Sequence, residues 1–309
     1  MLKSAIRNTV FTLVLLTLSA CSSMRPVNVP MVMPSESNVK ISSLSVAPFR
    51  VHQGTLSTKL AKVLLSRSSK LTGNILANAI KANIIKEGYI KLASPAEFTL
   101  IGEVVINPDE FTAWEDKYED KEGKTKYTYH AKLTKSILVS YTLSNATEQL
   151  AAGSQTFTES TYNSSKKSKS EAKSKLRKES DLHAKLIEQA SNQIVKEISP
   201  HKKNVKVNFM KGDQHIDVAI EYVKRGRYQQ AMSLFMQIAE KSSELEVQTA
   251  AIHNQGMVKL IQGEYTEAHN LLRKANLLNP QKLEILDSIE VVEKLKYTQD
   301  KLSAQIGKP

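Results

Sequence analysis

The chain has 309 residues, 41% of them hydrophobic and 24% charged, which is an ordinary globular composition with room for two modest domains. Its formal charge of +12 favours anionic surfaces. Cys21 is the only cysteine, so an internal disulfide is excluded and the fold must be held by its core.

In residues 1–20, Lys3 and Arg7 precede an apolar run of Val10, Phe11, Leu13, Val14, Leu15, Leu16 and Leu18. The run is too short to span a bilayer, and a basic start followed by such a run reads as a signal peptide. It ends in Leu18-Ser19-Ala20-Cys21, which resembles the bacterial lipobox. The resemblance implies that the Cys21 thiol takes a diacylglyceryl group and that cleavage falls between Ala20 and Cys21. Acylation of the new amino terminus then makes the anchor effectively permanent. Ser22, where inner-membrane lipoproteins carry Asp, implies the periplasmic face of the outer membrane. Cleavage removes Lys3 and Arg7 and leaves a charge of about +10. In that compartment the anionic surfaces are lipopolysaccharide, phospholipid and peptidoglycan, and nucleic acid is excluded.

Residues 21–38 carry Pro26, Pro30 and Pro34 without apolar periodicity. They predict an extended tether reaching on the order of 50 Å. Residues 39–209 predict an α+β domain. Ile41, Leu44, Val46 and Phe49 give a strand over 39–49 that stops at Pro48, and a polar turn follows around Gly54. Leu56, Leu60, Val63 and Leu64 fall at helical spacing; after a Ser/Arg/Lys break the pattern resumes with Ile75, Leu76, Ala79, Ile80, Ile84 and Ile85. Gly88 stands where a left-handed helix stop is needed, and strands follow over 89–92 and 98–106.

Three stretches carry a resemblance: Val46-Ala47-Pro48-Phe49, Glu87-Gly88-Tyr89, and the run AEFTLIGEV over 96–104. They are similar to the periplasmic domain shared by curli-secretion-channel lipoproteins, the amino-terminal domain of TolB, and lipoprotein activators of penicillin-binding proteins. Glu97-Phe98 stands where that group has Asp-Tyr. The resemblance implies a mixed sheet with packed helices over roughly 39–200. For function it implies a subunit of an oligomeric export channel or a regulator of a peptidoglycan synthase.

Segment 109–122 interleaves Asp109, Glu110, Glu115, Asp116, Glu119, Asp120 and Glu122 with Phe111, Trp114 and Tyr118. It is expected to be a loop, either a solvated hairpin tip or an aromatic-acidic binding loop. The acidic positions do not match an EF-hand. From Tyr127 to Leu143 the odd positions are mostly apolar and the even ones polar, so a long strand with one wet face is expected. A turn over 145–148 returns it as a partner strand over 149–162. That partner lacks a lipid-facing apolar band, which argues against a membrane hairpin. The basic run over 164–178 opens a helix with an apolar face of Leu182, Leu186, Ile187, Ala190, Ile194 and Ile198. It is either a solvated helix end or a patch contacting anionic lipid or glycan through Lys166, Lys167 and Lys169. A last strand is expected over 204–209.

Residues 210–309 contain a repeat: Gly226, Tyr228 and Ala231 recur 37 residues later as Gly263, Tyr265 and Ala268, with Pro280 closing the second copy. This resembles the tetratricopeptide pattern. The glycine permits the turn, the tyrosine packs into it, and the alanine lets two helices approach. A capping helix over 283–302 would complete the array. The repeat register nominates Ile220, Lys224, His253 and Met257 for a partner-binding groove. His253 and His269 could approach each other, but no acidic or thiol ligand accompanies them in sequence, and no zinc, phosphate-loop or nucleophile motif occurs. The expectation is therefore no metal, no cofactor and no enzyme. What remains is a lipid-anchored envelope adaptor or assembly factor, binding envelope proteins through an all-α, tetratricopeptide-like domain behind an α+β one.

Overall fold

The computed structural model describes residues 24–53 and 59–306. The signal peptide, Leu18-Ser19-Ala20 and Cys21 lie outside the described residues. The described residues divide into two compact units, one of residues 24–31 with 203–299 and one of 32–53, 59–202 and 300–306. Both α and β structure are present, and no helix among the described residues is long and apolar enough to cross a membrane.

In the second unit, β2 (Ser43–Val46) pairs in parallel with β4 (Lys91–Leu92) on one side and with β5 (Phe98–Ile106) on the other. After a short departure at Ala47-Pro48-Phe49, β3 (Arg50–Gln53) rejoins β5. The strand expected over 39–49 is thus only its central part, because Pro48 ends the pairing and turns Phe49 inward. α1 (Lys59–Glu87) runs without interruption through the Ser/Arg/Lys stretch that had suggested a break; those residues are tolerable inside a helix. Gly88 stops it at φ +80°.

β7 (Thr125–Ser144) is the spine of the sheet. Along one edge its carboxyl-terminal half pairs with β5 and its amino-terminal half with β6 (Glu110–Glu119); β8 (Gln149–Ser165) follows the other edge from Tyr129 to Ser144. The register changes by one residue between β5 and β6, with Asn107 N–H donating to the Ser136 carbonyl at the junction. The 109–122 segment is therefore mostly strand rather than loop. Its charges sit on an exposed edge strand, where they discourage edge-to-edge pairing with other chains. The turn is confined to 120–124, where the Asp120 carboxylate accepts from the Glu122 and Lys124 amides and Gly123 has φ +75°.

One face of this sheet is closed by helices. Ile137, Val139, Tyr141 and Leu143 of β7 pack with Leu76, Ile80 and Ile84 of α1 and with Leu186, Ala190, Ile194 and Ile198 of α3 (Glu179–Ile198). Each such aliphatic burial contributes about 1.5–3 kcal/mol before the entropy of ordering is counted. Asn83 ties α1 to α3 through Ser191 Oγ (3.1 Å) and Asn192 Oδ1 (2.9 Å). The short α2 (Lys169–Ser174), capped by Ser168, buries Ala172 at the other end of the same face.

In the first unit, β1 (Met24–Met33) forms a two-stranded sheet with β9 (His201–Met210). Most of the segment expected to be a free tether is therefore a strand. Val27 and Val29 alternate into the core, while Pro26 and Pro30 take the opposite phase, tolerable on an edge strand that needs few donors. Five helices follow: α4 (Gln214–Lys224), α5 (Tyr228–Lys241), α6 (Leu245–Ile261), α7 (Tyr265–Leu278) and α8 (Glu284–Ile306). The α4–α5 and α6–α7 turns are alike. Gly226 (φ +70°) and Gly263 (φ +80°) are followed by Arg227 N–H to Tyr222 O and Glu264 N–H to Lys259 O, each 2.9 Å. Ala231, Phe235, Ala268 and Leu272 are fully buried at the helix crossings. Pro280 follows the end of α7, and α8 stands where a terminal helix was expected.

Candidate functional site

The residues nominated for a partner groove are not a surface. Ile220, His253 and Met257 are buried, and Lys224 is an exposed helix-end lysine on Glu221 (2.6 Å). α6 is buried along nearly its whole length rather than on one face. Asn254 explains part of this, because it accepts from the Met210 N–H (2.7 Å) and donates to the Met210 carbonyl (2.8 Å), capping β9 onto the helix. His253 lies with Nδ1 3.0 Å from Asn254 Oδ1 and Nε2 2.8 Å from Ser288 Oγ on α8. Burial holds its imidazole down at about 4, against the opposing effects of Asn254 and Glu284. The chain's own β9 and α8 thus occupy the side that a two-repeat array would offer to a partner. His269 contacts Glu293 (3.3 Å) and does not meet His253. No cluster of metal-ligating side chains occurs among the described residues.

The lysine-rich run is partly committed to internal contacts. Lys169 reaches Glu115 on β6 (3.1 Å), Lys175 pairs with Glu171 (3.0 Å), and Lys173 Nζ sits 4.8 Å above the Phe111 ring. Lys166 and Lys167 are exposed. The run clamps α2 onto the helix-covered face of β6–β8.

The opposite face of the sheet is open, and its chemistry is set by register. Across β6 and β7, Trp114 stands opposite His130 and Thr112 opposite Lys132; across β7 and β8, Tyr162 stands opposite Lys132 and Ser164 opposite His130. All of these side chains share one face. Trp114 and Tyr162 reach over His130 from the two flanking strands, with ring centroids 5.1, 5.8 and 5.9 Å apart and planes within 30° of one another. The result is one aromatic shelf with His130 buried beneath it and Trp114 (39%) and Tyr162 (53%) exposed. His130 fixes the shelf from below: Nδ1 is 2.5 Å from the Tyr162 hydroxyl, and Nε2 is 2.9 Å from Asp116 Oδ2, within ion-pair range though not aligned as a hydrogen bond.

From the shelf toward the other end of β7, the open face carries hydroxyls interrupted by Leu138 beside Val105. Thr134, Ser136, Ser140 and Thr142 of β7 stand beside Ser160, Thr158, Ser154 and Ala152 of β8. The Ser140 and Ser154 hydroxyls are 2.9 Å apart. The rows end at a groove of about 480 Å³ between the Ala47-Pro48 departure and β5, lined by Arg50, Ile101, Glu103, Ser140 and Thr142 among others. Sequence reading grouped Trp114 with Phe111 and Tyr118 in a possible binding loop but missed His130 and Tyr162. They are placed with it by strand pairing across 16 and 48 positions, and neither has a local motif.

No family model and no curated protein matches the chain. Among solved structures it is similar to a minor lipoprotein from Acinetobacter baumannii, at 14% identity over 53% of this chain and 98% of that one, with a TM-score of 0.22. It is also similar to a neuraminyllactose-binding hemagglutinin homolog from Helicobacter pylori, at 9% identity over 53% and 84%, with a TM-score of 0.26. A third likeness is to rare lipoprotein B from Shewanella oneidensis, at 8% identity over 50% and 91%, with a TM-score of 0.20. Two of these three are bacterial lipoproteins, and at such scores the site has to be read from its own geometry.

Proposed function

We propose that the chain is a lipoprotein anchored through Cys21 at the periplasmic face of the outer membrane, acting without catalysis as an adaptor or assembly factor. It captures an envelope component on the open face of β5–β8. The observation that carries this reading is the exposure of Trp114 and Tyr162 on a shelf braced by His130. Amphipathic aromatics held rigidly in the open are the residues that anchor interfaces. The tetratricopeptide-like helix pairs serve as scaffold in this reading, since β9 and α8 fill their inner side. Anchoring confines the shelf to a shell near one membrane and raises its effective concentration toward partners there.

Two variants test this in living cells. Cys21→Ser releases the chain from the membrane fraction. Trp114→Ala with Tyr162→Ala leaves it anchored and folded but strips the adducts obtained by crosslinking the intact envelope. Membrane retention of Cys21→Ser contradicts the anchor, and an unchanged adduct pattern from the double variant contradicts the shelf.

A further inference from the structure

We infer that the open face of β5–β8 takes an uncharged polysaccharide strand, the chemistry of a cell-wall glycan backbone. The inference rests on the proposal that this face is the binding surface, and goes further by naming the ligand class.

The shelf supplies the first argument. Saccharide rings have an apolar C–H face and a polar rim, so they stack on flat aromatic surfaces and hydrogen-bond at their edges. Trp114 and Tyr162, with centroids 5.9 Å apart and planes inclined by 30°, present exposed aromatic surface at about the width of one sugar ring. It is preorganised, because the His130 ring, stacked on Trp114 and in contact with the Tyr162 hydroxyl, holds both rings before any ligand arrives.

Charge supplies the second. The chain is strongly basic at +12. Yet the charged side chains that register places on this face come in balanced sets: Glu110 and Asp116 against Lys126 and Lys132 on β6 and β7, and Glu103 against Arg50 at the groove. β8 contributes no charge to it from Ser154 to Ser164, only Ser154, Thr156, Thr158, Ser160, Tyr162 and Ser164. A neutral hydroxyl field on a basic protein gives no electrostatic attraction for phosphates or polyanions, and it matches a neutral, polyhydroxylated ligand. The apolar side chains on this face, Leu138 beside Val105 between the shelf and the groove and the exposed Ile101 at the groove, lie where the C–H faces of saccharide rings can rest.

Dimensions supply the third. The shelf at His130 and the groove at Ser140 are separated by ten residues of β7, about 34 Å at strand rise. Shelf, hydroxyl rows and groove form one track, suited to an extended polymer rather than a compact metabolite.

Trp114 is the only tryptophan of the chain, so its emission reports directly on a ligand stacked there. The test uses the full-length lipidated protein in detergent, titrated with the β-1,4-linked hexamer of N-acetylglucosamine. The expected result is a saturable shift of tryptophan emission that an excess of heparin does not displace. Calorimetry should show hexamer affinity at least about tenfold weaker in Tyr162→Ala, with Tyr162→Phe, which keeps the ring but loses the hydroxyl braced by His130, falling between wild type and Tyr162→Ala. A folded wild-type protein whose emission and heat signal ignore the hexamer overturns the inference. If the hexamer is ignored while the Trp114→Ala, Tyr162→Ala variant still loses its envelope crosslinks, the shelf binds protein and only the glycan assignment fails. If those crosslinks also persist, the binding face itself is wrong.

Discussion

The Phe49 ring fills the space above Gly102: a Cβ added at residue 102 would lie 2.2 Å from Phe49 Cε1 and 2.5 Å from the Ser140 carbonyl oxygen. On the helix side, a Cβ at Gly73 would lie 2.0 Å from the Phe49 carbonyl oxygen, and the Phe49 N–H points at the Gly73 carbonyl (3.5 Å). Phe49 is thus held between a strand glycine and a helix glycine, and this places the Pro48 turn at the mouth of the groove.

Gly102→Ala is expected to destabilise the protein by about 1–3 kcal/mol through overpacking. Phe49→Ala should cost about 3–5 kcal/mol through the cavity it leaves. Because the two share one space, the double variant should be less destabilised than the sum of the singles. Chemical denaturation of the four proteins of this cycle measures the coupling, and additivity within error contradicts the packing described.

The buried His253 gives the helical unit an acid sensitivity. Its imidazole titrates at about 4 in the folded chain against 6.5 for the free group, so between these values the unfolded chain binds a proton that the folded one refuses. Stability is therefore full above pH 6.5 and falls as the pH drops toward 4, by on the order of 3 kcal/mol from this group. Denaturation midpoints at pH 7.5, 6 and 5 should decline in the wild type, with a shallower decline in His253→Gln.

Asn254 serves both the donor and the acceptor of Met210, so Asn254→Ala strands two buried backbone groups. A loss of roughly 2–5 kcal/mol follows, together with faster hydrogen exchange at the Met210 amide. Met257→Glu should unfold the helical unit rather than merely alter a surface, because the side chain is 1% exposed. Circular dichroism distinguishes the two outcomes.

The turn glycines carry a sharper distinction. A Cβ at Gly226 or Gly263 meets nothing within 4 Å, so the cost of substitution lies in the backbone alone. Replacement by Ala should cost about 1–2 kcal/mol and by Asn distinctly less, since Asn visits the left-handed region more readily. Equal thermal shifts for Ala and Asn would contradict the assigned conformation.

Local signals carried much of this architecture. Odd-position apolarity in β7 gave a strand whose one face is buried from Ala131 to Leu143, and Gly88, Gly226 and Gly263 marked helix ends that have positive φ. Signals that depend on partners were not legible. Pro26 and Pro30 suggested a tether because nothing near them in sequence announces β9. The acidic β6 suggested a loop because an exposed edge strand has no buried face to reveal its period. The burial of His253 and Met257 was not legible because the repeat pattern describes helix-helix packing, whereas Ser288 and Met210, which contact His253 and its neighbour Asn254, come from elements outside the repeat. The aromatic shelf draws on three strands, and only their register unites Trp114, His130 and Tyr162.

A photoreactive phenylalanine at position 162, and separately at the exposed position 236 on α5, distinguishes capture on the open sheet face from capture on the helices. Irradiation of living cells should give a discrete envelope adduct from position 162 that disappears in the Cys21→Ser background, and none from position 236. An adduct from position 236 with none from 162 would contradict the account, because capture would then belong to the helices and not to the open face of the sheet.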